Sequence, residues 1–350
     1  MSKYIAKGLP WSDGVGTDVS MCVTAEEAIK TANLDYTVDK CSLVAKMPFT
    51  INGNNEVDDS PNNFIHNGYI YKSCPRCYGT YRTDNNIPLG LVKEKYNVVQ
   101  NKEAFSFFDD AIGKDKAVWD RAGLFGHGQK IFITAKLPNT IKIGNDEIDN
   151  YLVFSNSHDG SSAITIMFTP IRVICTNMLA GALYNTDSYI KIRHTATVKN
   201  KIQKGAEILR IAMEHANLVK DLYNSLLTIK MSDNDTKRYL ANLQLTEAEQ
   251  QELINYDSTN GYNRLFNRDY GVIEKTQISS RKLNTIINMY QYYHEGIGQQ
   301  HVLGTGWGAY NAVTGYYSNV ANLENEKRNE SLLYGGANKN LYKAIQTIVA

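Results

Sequence analysis

The chain has little proline, seven residues in 350, and no excess of either charge: 37 Lys and Arg stand against 36 Asp and Glu, a formal net charge of +1. That balance excludes a protein that coats duplex DNA through a uniformly basic surface. Long apolar runs are missing too. No segment approaches the ~20 apolar residues of a membrane span, and Met1 to Gly14 lack the apolar stretch of a secretory signal. No membrane partner and a cytoplasmic location are therefore expected. Cysteine is scarce and odd in number (Cys22, Cys41, Cys74, Cys77 and Cys175), which fits a reducing compartment better than a disulfide framework. Asn and Tyr, by contrast, are abundant, with 35 Asn and with Tyr as 23 of the 36 aromatics. The codon usage of an AT-rich genome explains part of this excess; a polar surface with aromatic faces free for stacking is the sharper reading. At 43% hydrophobic and 21% charged residues, the chain has enough apolar material for a core and is not a disordered polymer.

The patterning predicts an α+β protein. A mixed N-terminal half, residues 1–194, carries an antiparallel hairpin or sheet packed on helices, and a mainly helical half follows over residues 195–350. Thr24-Ala25-Glu26-Glu27 is a capping box that opens a short helix. A weak alternation over 36–50 predicts a strand, 52–63 a polar acidic loop, and 69–71 and 78–82 two short strands around a turn. Asn101 is expected to cap a helix that ends near Gly113. The clearest β signal runs from Lys130 to Asn177. Asp159-Gly160 lies there between apolar runs and marks a hairpin turn, because glycine accepts the positive φ such turns need. Ile164, Ile166 and Phe168 fall on one face of the returning strand. Ile171, Val173 and Cys175 continue the alternation, and Asn177 is expected to cap a helix through Leu183. From Val198 onward the apolar spacing becomes helical, which predicts a long amphipathic helix to about Ile229. Further helices are expected over 233–245, 246–256, 277–293, 309–318, 323–333 and 340–349, and no internal repeat is evident.

Three motifs suggest chemistry and fall short of it. Ser157-His158-Asp159 spells a hydrolytic triad, but neighbouring residues on a strand or turn project apart rather than converge. A turn with Asp159 bonded to the local backbone is the stronger reading. Cys74-Pro75-Arg76-Cys77 has the spacing of a zinc knuckle or a redox pair. A second ligand pair is absent from the sequence, so Cys74 and Cys77 are weak metal candidates in a metal-binding enzyme. Gly304-Thr305-Gly306-Trp307-Gly308 precedes a helix but matches neither nucleotide fingerprint; a flexible helix start is expected, and no cofactor.

The most informative charge feature lies between Ser188 and Lys204. It contains Lys191, Arg193, His194, Lys199, Lys201 and Lys204 and no carboxylate. Lys201 and Lys204 share a helix face by their spacing, and Tyr184 and Tyr189 lie close enough in sequence to add base stacking. Such a segment attracts phosphates even in a neutral chain. The competing reading is a solvated face balanced by acids such as Glu56, Asp58 and Asp59.

The block 151–161 (YLVFSNSHDGS), Arg172-Val173-Ile174-Cys175-Thr176-Asn177 and Ile192-Arg193-His194-Thr195 resemble the core of an uncharacterised phage and plasmid protein family defined by a domain of unknown function. Shorter matches include 98–101 with 103–105, Ala122-Gly123, 32–36 and 311–314, so the resemblance covers nearly the whole chain. One departure is Lys7-Gly8-Leu9-Pro10-Trp11, where the family often carries a run like Trp-His-Gly-Leu-Gly. The resemblance implies a phage or plasmid context and no established reaction. A looser analogy of fold order links the chain to phage single-strand annealing recombinases.

Together these features predict a non-catalytic nucleic-acid-binding protein, with single-strand annealing as its most specific form. Lys191, Arg193, Lys199, Lys201 and Lys204 are expected to hold phosphates, with Arg172 and His194 assisting from the neighbouring strand and turn. The expected partners are single-stranded nucleic acid and further copies of the chain in a ring or filament. The alternatives are a phage structural or host-interaction protein, or the metal-binding enzyme of Cys74 and Cys77.

Overall fold

The computed structural model describes residues 4–11, 14–48, 64–106, 109, 117–179, 189–195, 205–321 and 323–349, with only the backbone for 189–190 and 205–216. The fold is α+β, as the patterning predicts. Its centre is an antiparallel sheet of eight described strands: β1 (Gly16–Asp18), β6 (Val118–Phe125), β7 (Lys130–Lys136), β8 (Ile141–Ile143), β9 (Asp146–Ser157), β10 (Ile164–Arg172), β11 (Asn177–Met178) and β12 (Tyr189–Ile192). The order is β1-β6-β7-β9-β10-β11, with β8 on β9 and β12 on β10. The long pair β9–β10 closes through the Asp159-Gly160 turn, where Gly160 takes φ +75° and Asp159 Oδ1 accepts the Ser161 amide at 2.8 Å.

Both faces of the central strands are covered, so the simple rule of apolar in and polar out does not apply to them. Phe154 of β9 meets the ring of Phe105 on one face, from α2 (Asn101–Phe105). On the other face Met167, paired with Val153, lies against Asn338 of the C-terminal helix. The first helix, α1 (Ala25–Thr31), starts where the capping box predicts, with Thr24 Oγ1 accepting the Glu27 amide at 3.2 Å. One buried apolar cluster runs from Trp11 through the sheet to Ile345.

A second, smaller sheet forms an arm: β2 (Val38–Pro48), β3 (Phe64–His66), β4 (Tyr69–Arg82) and β5 (Pro88–Lys93), in the order β2-β4-β3 with β5 also on β4. The two short strands expected over 69–82 are one strand. Cys74 to Cys77 bulge out of it between the pairs Val44–Ser73 and Ser42–Tyr78, and Arg76 takes φ +64°. The β3–β4 turn is Asn67-Gly68, both at positive φ, as a tight hairpin of this sequence demands. The arm is seated on the main sheet at the 158–160 turn. Thr80 Oγ1 donates to the His158 carbonyl at 2.6 Å, and the Gly90 backbone passes so close to Asp159 that a Cβ there would lie 2.4 Å from its Cα.

The second half contains α3 (Gly205–Thr228), α4 (Asp233–Asn242), α5 (Glu247–Tyr256), α6 (Gly261–Phe266), α7 (Tyr270–Thr276), α8 (Ser280–Glu295), α9 (Gly306–Gly315), α10 (Asn325–Tyr334) and α11 (Gly336–Val349). Capping boxes at Ser232 and Thr246 start α4 and α5. Helix α9 is buried at all ten positions. Its glycine-rich beginning is closely packed rather than loose: Thr305 caps it, and a Cβ at Gly308 would lie 2.2 Å from the Val302 carbonyl oxygen. Helices α6 and α7 interrupt a stretch for which the sequence predicted no helix.

Two expected caps have other duties. Asn101 is the first residue of α2 and does not cap it; its side chain donates to the Leu34 carbonyl at 2.7 Å and meets His158. Asn177 lies in β11, where its amide meets Asn319 at 2.7 Å and Thr314 at 3.3 Å. The predicted acidic loop 52–63 lies outside the described residues.

Candidate nucleic-acid interface

The predicted phosphate contacts separate into three groups. Lys191 and Arg193 are exposed, whereas Ile192 and His194 between and after them are buried. This alternation follows from the two-residue period of a strand. It places both cations on the solvent face at the end of β12, about 6–7 Å apart at ~3.3 Å per residue. Among the described strands β12 pairs only with β10, in the register Thr165–Lys191 and Ile164–Ile192.

His194 has the opposite character. It is 7% exposed, its Nδ1 donates to the Asn97 carbonyl at 3.2 Å, and its ring stacks on Tyr96 with centroids 4.6 Å apart. Burial lowers its pKa below the usual histidine value, against the Asn97 hydrogen bond that raises it. At neutral pH it is an uncharged structural ring, which corrects its expected assistance to phosphates.

Arg172 is corrected more strongly. Its side chain is wholly buried at the end of β10. Nη2 donates to Asp146 Oδ1 at 2.8 Å and to the Gly298 carbonyl at 2.7 Å. The other Asp146 oxygen accepts Trp307 Nε1 at 2.7 Å. The guanidinium therefore joins the sheet to α9 and to the loop before it, and a phosphate has no access to it. Lys199, Lys201 and Lys204, like Tyr184, lie outside the described residues, and of Tyr189 only the backbone is described.

The structure adds two cations that the sequence concealed. Asn97 N donates to the His194 carbonyl at 3.1 Å, which ties the end of β12 to the segment after β5. That segment exposes Lys93 and Lys95 on either side of Glu94. It is held in place by Lys40, whose Nζ donates to the Glu94 and Tyr96 carbonyls at 3.0 and 3.1 Å, and by Tyr96, whose hydroxyl donates to the Ser157 carbonyl at 2.6 Å. Among the described residues, no ion pair joins Lys93, Lys95 or Arg193 to a carboxylate. The Lys-Glu-Lys run has no distinguishing pattern of its own in the sequence; the signal that distinguishes it is its join to β12, a contact across about a hundred residues.

The other motifs resolve into structure. Ser157 Oγ donates to Asp159 at 2.5 Å, while His158 points away and gives its Nε2 hydrogen to Asn101 Oδ1 at 2.7 Å. Burial, with a smaller contribution from His194, pushes the His158 pKa down to about 3. These three side chains do not converge on a reacting centre. Cys74 and Cys77 lie on the bulge of the arm, half-buried and exposed, and among the described residues no three His, Cys, Asp or Glu side chains are grouped to hold a metal. No described helix is long and apolar enough to cross a membrane.

Many residues that carry the family resemblance are thus interior polar groups: Asn156 donates to the Val99 carbonyl at 2.9 Å, His158 binds Asn101, Arg172 binds Asp146, and Asn177 meets Asn319. They define the seam between sheet and helices rather than a surface. Neither the curated proteins nor the solved structures contain a match to the chain. The family model described as Domain of unknown function (DUF932) matches residues 88–335, a span that starts at β5, includes this entire seam and ends with α10; the chain belongs to that family.

Proposed function

We propose that the protein binds single-stranded nucleic acid through a basic junction at the end of β12. The observation that carries this reading is the pair of exposed cations Lys191 and Arg193, joined through Asn97 and His194 to the segment that exposes Lys93 and Lys95. In sequence the same strand leads on to Lys199, Lys201 and Lys204 with no intervening carboxylate. Phosphates bind such a site by point charge and counterion release, which needs no metal and no nucleotide. A small basic patch on a neutral chain follows one strand of nucleic acid better than it coats a duplex.

Annealing is the most specific form of this activity, since it requires only that two strands be held with their bases available. In that form the chain acts as a ring or filament of identical copies in the cytoplasm of a host cell that carries a phage or plasmid. Fluorescence anisotropy with labelled single-stranded oligonucleotides, titrated across salt, tests the reading. Binding that weakens steeply with salt and falls after Lys191→Glu with Arg193→Glu is the expected result. Absence of binding at low salt, or affinity unaffected by the charge reversals, overturns it.

A further inference from the structure

The arm carries an aromatic face that the basic junction does not use. The register of β2, β4 and β3 sets Lys46, Tyr71 and Phe64 in one row, and Pro48, Tyr69 and His66 in the next. The rows lie two residues apart along each strand, so all six side chains share one face. Phe64 and Tyr71 stack with centroids 4.7 Å apart and planes 8° apart. Lys46 Nζ sits 3.9 Å from the centroid of the Tyr69 ring. Phe64 is 50% exposed and Tyr69 38%.

We infer that this face is a stacking platform for the unpaired bases of a single strand. The inference rests on the proposed nucleic-acid reading and assigns it a second, chemically different subsite. Two observations select a polyanion with stackable rings as the occupant. On the strands of the arm Lys46, Lys72, Arg76 and Lys93 have no carboxylate partner among the described residues, whereas Arg82 is held by Asp84 and Lys40 by backbone carbonyls. The arm is also continuous with the basic junction, because β5 ends at Lys93 and the chain then runs through Lys95 to the Asn97–His194 contact.

The chemistry of exchange is simple. Aromatic faces accept any base, because every base has a π-surface, and they are open to unpaired bases only. A base that stacks on Tyr69 displaces the Lys46 ammonium from the ring, and the freed ammonium is then within reach of the adjoining phosphate. Cation–π contact is thus replaced by base stacking and a charge contact. Lys40 plays no part in this exchange, since the Glu94 and Tyr96 carbonyls hold its ammonium.

The test compares the full chain on two labelled single strands of equal length, oligothymidylate and an abasic deoxyribose-phosphate strand. The wild type should bind the strand with bases more tightly. Phe64→Leu with Tyr69→Leu keeps apolar bulk on an exposed face but removes the π-surfaces; it should lower affinity for oligothymidylate about tenfold or more and leave the abasic strand unaffected. Lys46→Glu should weaken both. Circular dichroism melts establish that the variants fold, and Phe64→Tyr, which keeps a ring, should retain base preference. Equal binding of both strands by the wild type, or unaltered oligothymidylate affinity in the double leucine variant, overturns the platform while leaving the basic junction standing. A changed oligomeric mass in the leucine variant with unchanged affinity also overturns it and makes the face a self-contact. Failure to bind either strand at low salt removes the platform together with the junction.

Discussion

The Arg172 guanidinium and the Asp146 carboxylate form a buried ion pair, Nη2 to Oδ1 at 2.8 Å, with the arginine side chain entirely out of solvent. Trp307 Nε1 takes the second carboxylate oxygen and the Gly298 carbonyl takes a further guanidinium hydrogen. The pair thereby holds the β9–β10 hairpin to the buried helix α9. Desolvating two charges is expensive, but removing one partner is worse, because it leaves the other charge buried and alone. Arg172→Ala or Asp146→Ala should each cost ~3–5 kcal/mol, read as a shift in the urea midpoint. Any variant protein that remains folded should keep its affinity for oligonucleotides, because Arg172 supports the fold and touches no phosphate.

Lys191 and Arg193 make the opposite prediction. Both are exposed, so Lys191→Glu with Arg193→Glu should leave the melting temperature nearly unchanged. The variant should bind single strands more weakly, and the slope of log K against log salt should become shallower by roughly 0.7 for each phosphate that is no longer neutralised. A shallower slope with an unchanged melting temperature separates a phosphate-binding cation from a structural charge.

What could be read from the sequence divides along the range of the interactions. Thr24, Ser232 and Thr246 bond amides three residues away, and a cap of this kind is written in adjacent letters. The Asp159-Gly160 turn is legible for the same reason, and so is the helical period of α3. Asn101 and Asn177 misled because Asn caps a helix only when its side chain is not claimed elsewhere, and theirs bind Leu34, His158, Thr314 and Asn319. Arg172 misled because β10 is covered on both faces, so a charge in its alternation need not point at water. Its partner Asp146 lies 26 residues away, and the Trp307 indole that shares that carboxylate lies 161 residues from Asp146. The arm was half legible: Tyr69-Ile70-Tyr71-Lys72 alternates like a strand, but the four-residue bulge at 74–77 broke the pattern into two pieces.

Gly90 tests how the arm is seated. A Cβ at this position would lie 2.4 Å from Asp159 Cα, 2.6 Å from its Cβ and 2.8 Å from its carbonyl oxygen. Backbone cannot move aside as a long side chain does, so Gly90→Ala should destabilise by ~1–3 kcal/mol, measured by chemical unfolding. Gly336→Ala is the control. Nothing lies within 4 Å of its Cβ position and it opens α11, so stability should stay the same or rise by up to ~1 kcal/mol.

His158 makes stability depend on pH. Its ring is fully buried, Nε2 donates to Asn101, and Nδ1 has no hydrogen-bond partner. Burial favours the neutral ring and holds the folded pKa at about 3, against 6.5 for the free side chain. Between those values the unfolded chain binds a proton that the folded protein refuses. Stability is then complete above about pH 6.5 and falls as the pH drops toward 3, with a limiting slope of ~1.4 kcal/mol per pH unit for each such group. His194 is shifted in the same direction by burial and adds to the decline. Urea midpoints between pH 7 and pH 5 should fall in the wild type. His158→Gln, which cannot take up the proton, should be less stable at pH 7 through poorer packing, yet should show a visibly flatter decline. An equally steep decline in that variant would assign the acid sensitivity to His194 and the carboxylates instead.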